Sequence, residues 1–207
     1  MIVAVSLVYR NALIYELVML GLYGRHYGGR YRSVAALIPA GSSVLDLCCG
    51  PGVLFDRYLR ARSVDYTGID VNPRFVARVN RLGGRGVLDD LGEGRPLPEA
   101  DTVLMQASLY QFLPDPGPIL RRMLRAARQQ VILAEPVRNL ATGHNPWLAA
   151  LARRQTDPGL GARTARFTEA SFDAFIAGLG QRVTRSYLIP GGREKVAVLD
   201  PRGGSPS

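Results

Sequence analysis

Acidic side chains at the ends of apolar runs, beside a turn rich in glycine, carry the chemistry of this sequence. The run VLDLCCGPGVLF at residues 44–55 brings Asp46 out of an apolar stretch and leads into Gly50 and Gly52. Glycine at a strand-to-helix turn leaves the backbone bare, so a ligand can approach its N–H groups closely. A second acid, Asp70, closes the run TGID just before Val71, and the pair Asp89 and Asp90 follows a third run, GVL. A turn of this type holds a nucleotide, and its neighbours restrict which one. A dinucleotide fingerprint requires three glycines as G-x-G-x-x-G, whereas Val53, Leu54 and Phe55 follow Gly52 here. A phosphate-cradling Walker turn requires Lys and then Ser or Thr, and neither follows. The charge of Asp46 repels a diphosphate and attracts an ammonium or sulfonium group. Asp70 is placed to accept the hydroxyls of an adenosine ribose, and either Asp89 or Asp90 to accept from the exocyclic amine of adenine. Any one of these acids alone fits equally well as a helix cap or strand end. Together, at three successive strand ends, they specify a cofactor site.

An alternation of strands and helices must position these residues. Segments 44–48, 64–69, 86–88, 102–106 and 131–135 are short apolar runs that read as buried strands, with amphipathic segments between most of them. The segment 53–62 follows the glycine turn. Segment 72–82 opens with Asn-Pro, a cap followed by a residue suited to the first helical position, and 118–128 starts at a proline. The third connection is a loop rich in Gly and Pro. Such alternation builds a parallel sheet covered on both faces. Beyond strand five lies a long connection, 136–167, with a helical pattern near 147–154, and then a helix from Thr168 and Ser171 to Leu179. Two further strands, 182–189 and 194–199, are joined by Pro190-Gly191-Gly192. That hairpin makes one of them antiparallel to its partner.

On these residues the chain resembles the class I S-adenosylmethionine-dependent methyltransferases of the small-molecule type. The matching positions are Asp46-x-Cys48-x-Gly50-x-Gly52, with Cys48 where the family usually has glycine; Asp70; Asp89 or Asp90; and MQASLYQFLP, residues 105–114, after strand four. The resemblance covers residues 43–200. It implies an α/β, Rossmann-like fold: a seven-stranded, mostly parallel sheet in the order 3-2-1-4-5-7-6, helices on both faces, and an antiparallel C-terminal hairpin. It also implies that the first motif holds the methionyl part of S-adenosylmethionine, Asp70 the ribose and the third acid the adenine. Val71, Gln106 and Ala107 join Asp46, Cys48, Gly50, Gly52, Asp70, Asp89 and Asp90 as cofactor-binding positions.

Methyl transfer from a sulfonium is an in-line displacement, so the protein has mainly to align acceptor, methyl and sulfur and to exclude water. A base helps only when the acceptor must lose a proton. Tyr110, His144 and Glu135, placed after strands four and five, are the candidates, since ligands gather at the carboxyl ends of a parallel sheet. Tyr27 and Tyr31, near His26, precede the core and are placed to fold over the site. No Asn-Pro-Pro-Tyr run follows strand four and no Pro-Cys pair exists, so a nucleic-acid base is not the expected acceptor. The expectation is a small molecule, such as a quinone-like compound, a phenol or another secondary metabolite. An NAD-dependent oxidoreductase and a protein that binds S-adenosylmethionine without methylating are the alternatives.

Composition bounds the rest. The chain has 207 residues, 47% hydrophobic and 21% charged, with a formal charge of +9. Lys195 is its single lysine. The positive charge is therefore arginine scattered along the chain, which reads as solvated helix faces more than a nucleic-acid footprint. Adjacent Cys48 and Cys49 make no disulfide framework, and no Cys/His spacing suits a metal; a reducing, cytoplasmic setting is expected, and no metal. The apolar start, residues 1–24, is interrupted by Arg10, Asn11 and Glu16, which argues against a spanning helix. It also lacks the flanks of a signal peptide. Peripheral membrane contact through this helix stays open, and the oligomeric state has no reading. The expected organisation is a helical cap or lid at 1–42, the cofactor-binding domain at 43–200 with 136–167 as a substrate cap, and a disordered tail at 201–207.

Overall fold

The computed structural model, which describes residues 26–138 and 165–203, gathers the apolar runs into a single sheet. In chain order the strands are β1 (Ser43–Leu47), β2 (Asp65–Asp70), β3 (Arg85–Leu88), β4 (Ala100–Gln106), β5 (Ala127–Pro136), β6 (Val183–Leu188) and β7 (Glu194–Leu199). They lie side by side as β3-β2-β1-β4-β5-β7-β6. The first five pair in parallel, and β7 runs antiparallel to both β5 and β6. This is the order and the hairpin expected from the sequence. Strand order reverses between β1 and β4, the switch point where open α/β sheets leave a crevice at their carboxyl ends.

The central strands are apolar on both faces because both faces are covered. Leu45, Leu47, Val103, Met105, Val131 and Leu133 point into one cluster with Phe172 and Met123. Val44, Leu104, Ile132 and Ala134 alternate with them into a second cluster, with Tyr31, Val34 and Phe55. The covering helices are α1 (Tyr27–Ala35), α2 (Pro73–Arg81), α3 (Gly117–Ala126) and α4 (Glu169–Ala177). Asn72 caps α2, its side chain accepting from the Arg74 amide at 3.0 Å, with Pro73 in the first turn. Thr168 and Ser171 form a reciprocal box at the start of α4. Each such cap satisfies amides that the first turn would otherwise leave unpaired.

Three elements differ from the sequence reading. The segment 53–62 is not a regular helix: a π turn, Phe55–Leu59, is followed by a 3-10 turn, Arg60–Arg62. Its side chains are drawn to different partners: Tyr58 donates to the Gly28 carbonyl at 3.2 Å, and Arg62 to the Ala35 and Ile38 carbonyls. Tertiary contacts of this kind override local helical preference. Helix α3 stops at Ala126 because Ala127 already pairs with Ala100, so β5 starts before its apolar part. Finally, the described part of the 1–42 segment is built into the core: Tyr27, Tyr31, Val34 and Ala35 of α1 are buried.

Residues 1–25, the 147–154 helical pattern, His144 and the last four residues lie outside the described residues. Among the described residues, no helix is long and apolar enough to cross a membrane, and no group of His, Cys, Asp and Glu could hold a metal ion.

Candidate functional site

At the carboxyl end of β1 the backbone takes three left-handed steps, at Cys48 (φ 56), Gly50 (φ 57) and Gly52 (φ 73). Glycine adopts this region freely, whereas a side chain carries a steric cost there. Gly52 has a second constraint, since a Cβ would lie 3.0 Å from Val79 Cγ2. Around Gly50 the space is open. Cys48 occupies the strained position with its thiol packed against the core, and burial pushes that thiol up, with Asp70 and Asp46 adding to the effect. Both cysteines are free thiols with raised pKa, which makes them poor nucleophiles.

The three strand-end acids differ in their surroundings. Asp46 is 4% exposed, and its Oδ2 accepts from Tyr66 Oη at 2.7 Å. Burial raises its pKa from 3.8 to about 7, the Tyr66 hydroxyl opposing and Asp70 reinforcing the rise. Asp70 is half-buried and accepts from the Gly50 amide at 2.9 Å and the Asn72 amide at 2.8 Å, one on each oxygen. Burial raises its pKa while those amides hold it down. The Val71 amide also donates to this carboxylate; a carboxylate has about four acceptor directions in all, so Asp70 keeps capacity for a further donor. Asp89 accepts from Arg95 Nε at 2.8 Å. Asp90 caps the short turn Leu91–Glu93, accepting from the Gly92 amide at 2.8 Å.

Two large apolar side chains stand exposed beside these acids, Val71 at 52% and Leu88 at 58%. Each follows or ends a strand whose terminal acid belongs to the set: Val71 comes after Asp70, Leu88 before Asp89. The sequence reading took Leu88 only as part of a strand. Nothing in its residue type marked it, because exposure is decided by where β3 ends.

Beyond β4 the chain makes another left-handed step, at Ala107 (φ 54), whose amide donates to Ala134 at 2.7 Å. A short 3-10 turn, Leu109–Phe112, then carries Tyr110, and the Arg166 guanidinium lies 3.3 Å from the centre of the Tyr110 ring. Glu135 is wholly buried at the end of β5. Its Oε1 accepts from the amides of Ser108 and Leu109, at 2.8 and 2.6 Å. Burial raises its pKa from 4.5 to about 8, against the pull of those two amides. Gln106 turns the other way, its Nε2 donating to Glu194 Oε1 at 2.7 Å. Glu194 also holds Arg30 Nε at 2.9 Å, in an ion pair 2% and 0% exposed. Because β7 is antiparallel, Glu194 at its start lies on the same edge of the sheet as Gln106 and Glu135.

Of the sequence candidates, Asp46, Cys48, Gly50, Gly52, Asp70, Val71 and Asp89 therefore stand at the ends of β1, β2 and β3. Gln106, Ala107, Tyr110 and Glu135 stand at the ends of β4 and β5. Arg30 and Glu194 went unread because one arginine among many, and one acid opening a strand, carry no local signal of burial.

Residues 29–145 match the family of methionine biosynthesis protein MetW. The chain belongs to the MetW family. Trans-aconitate 2-methyltransferase of Mycobacterium tuberculosis is 32% identical over 115 residues, 54% of this chain and 43% of that protein. The chain thus spans less than half the length of this relative. Among solved structures, magnesium protoporphyrin IX methyltransferase of Synechocystis, with bound SAH, superposes with a TM-score of 0.64 at 16% identity, over 93% of this chain and 95% of that one. A TehB-like SAM-dependent methyltransferase from Corynebacterium glutamicum gives 0.60 at 19% identity, over 91% and 95%. The MetW-family chain has the fold of these S-adenosylmethionine-dependent methyltransferases.

Proposed function

We propose that this chain binds S-adenosylmethionine in the crevice at the carboxyl ends of β1 to β4 and transfers its methyl group to a small-molecule acceptor. The observation that carries the reading is the set of acids Asp46, Asp70 and Asp89 on adjacent strand ends, around a left-handed turn and beside the exposed Val71 and Leu88. The residues fit the cofactor's parts. The open space at Gly50 admits the methionyl chain against bare backbone. Asp46 supplies negative charge for its ammonium group. The remaining acceptor capacity of Asp70 suits the ribose hydroxyls, and Val71 and Leu88 offer apolar faces for the adenine ring. Asp89, which directly follows the exposed Leu88, is the acid assigned to the adenine amine.

When bound, the cofactor supplies an electrophilic methyl on a sulfonium. The chain's own part is to orient the acceptor toward it and to keep water away. Gln106, Tyr110 and the segment between them form the wall next to the acceptor. Tyr110, its ring covered by Arg166, is assigned the contact with the acceptor. Trans-aconitate, the acceptor named for the relative, is a small carboxylic acid, and an acceptor bearing a carboxylate or phenol suits a wall with an arginine and a tyrosine. Free thiols suit a reducing, cytoplasmic setting.

The test is calorimetric titration with S-adenosylmethionine, S-adenosylhomocysteine and NAD, followed by transfer of labelled methyl to a panel of phenols, quinols and carboxylic acids that includes trans-aconitate. Binding of both sulfur compounds with NAD silent, and label in at least one acceptor, is expected. Tight NAD binding would overturn the reading, and cofactor binding with no labelled acceptor would leave a binding protein in place of an enzyme.

A further inference from the structure

The exit of β4 is held by two consecutive residues of β5. Ala107 lies at φ 54 with its amide on Ala134, and the next two amides, of Ser108 and Leu109, both point at Oε1 of Glu135. A left-handed alanine persists only where its surroundings hold it. Leu109 opens the turn that carries Tyr110. The other oxygen of Glu135, Oε2, is buried and meets no donor among the described residues. The charged and titratable groups around this carboxyl are Arg30 from α1, Glu194 from β7 and Cys48 from the turn after β1.

We propose that Glu135 is a positioning residue for methyl transfer: through Oε1 it fixes the 107–109 segment and so sets Tyr110 against the acceptor, taking no proton itself. The inference rests on the proposed function for what Tyr110 faces. Its core is geometric. Two amides on one oxygen are served equally by a carboxylate, a carboxylic acid or a carboxamide, so this role requires a carbonyl-type oxygen at that reach and no negative charge. A base, by contrast, requires the charge. Burial, which keeps this carboxyl protonated up to about pH 8, suits the first role.

Glu135→Gln keeps the accepting oxygen and removes the titratable group; Glu135→Leu removes both; Glu135→Asp keeps a titratable carboxyl and shortens the reach. Hydrogen exchange at the Ser108 and Leu109 amides of the ligand-free chain is expected to stay within about threefold of wild type in the Gln variant and to speed up at least tenfold in the Leu variant. Should the Leu variant not fold, the Asp variant gives the same contrast, with faster exchange than Gln. On an acceptor that takes methyl in the panel above, the Gln variant is expected to retain kcat within about threefold at pH 7, while Asp lowers kcat with KM for S-adenosylmethionine unchanged. Unchanged exchange in Leu or Asp would overturn the proposal. So would a Gln variant that keeps its protected amides yet loses about a hundredfold or more in kcat, which is the mark of a general base. Because the exchange arm uses no cofactor, a failure to bind S-adenosylmethionine removes the proposed function without deciding this result.

Discussion

Replacing Asp46 by Asn should stabilise the ligand-free protein while weakening its grip on the cofactor. The Asp46 carboxyl is buried against Tyr66 and its pKa rises from 3.8 to about 7, chiefly through burial. An acid whose folded pKa lies above its unfolded one binds its proton more tightly in the native state. Folding therefore loses stability as pH climbs above about 4, and the full loss is reached once pH passes 7. A displacement of this size corresponds to ~4 kcal/mol as a ceiling. Relaxation and water entry reduce the gain expected for Asn at pH 8 to roughly 1–2 kcal/mol. The Asn carbonyl still accepts from Tyr66, so no hydrogen bond is lost. In the proposed site the cofactor's ammonium, however, needs the ionised acid. In wild type, binding below pH 7 must first expel the proton, which weakens affinity about tenfold between pH 8 and pH 6. In the variant, affinity at pH 8 should fall by about 1–3 kcal/mol through loss of a charge-assisted contact, and the tenfold pH dependence should vanish. Urea denaturation from pH 4 to 8, with titration of S-adenosylhomocysteine at pH 6 and 8, measures both. A variant less stable than wild type at pH 8, or one that binds equally well, refutes the reasoning.

Leu88→Ser should lower cofactor affinity about threefold to tenfold by calorimetry, at little cost in stability, since Leu88 is 58% exposed and packs on little else. Glu194→Ala should lower unfolding free energy by about 3–5 kcal/mol because it leaves Arg30 buried without its carboxylate; the double variant with Arg30→Met should recover much of that loss in the same denaturation assay. At Cys48, held at φ 56, substitution by Gly should keep stability within about 1 kcal/mol while Val, branched at Cβ, should cost about 2 kcal/mol or more. Equal stability of the Gly and Val variants would show that the backbone there is not strained.

The sheet could be read from the sequence because its signals are local and repeated. Each of β1 to β5 is an apolar run, and Pro190-Gly191-Gly192 announced the hairpin. The placement of Asp46, Gly50, Gly52 and Asp70 around strand ends was legible for a related reason: such positions fall at a fixed offset from the apolar run before them. What escaped depends on distant partners. The π turn at Phe55–Leu59 follows from contacts of Tyr58 and Arg62 with the α1 region, and the early start of β5 follows from its pairing with Ala100. The buried link between Arg30 and Glu194 joins residues 164 apart in sequence, and no periodicity within a window can reveal it. Glu135 was visible as a strand-end acid, but its attachment to the Ser108 and Leu109 amides was not.

A crystal structure of the chain grown with S-adenosylhomocysteine tests the central claim most directly. The ribose hydroxyls should lie within hydrogen-bonding distance of Asp70, the adenine between Val71 and Leu88 with its amine toward Asp89, and the amino group on the side of Asp46. A ligand seated away from these three acids, or no ligand at all under saturating conditions, would contradict the account.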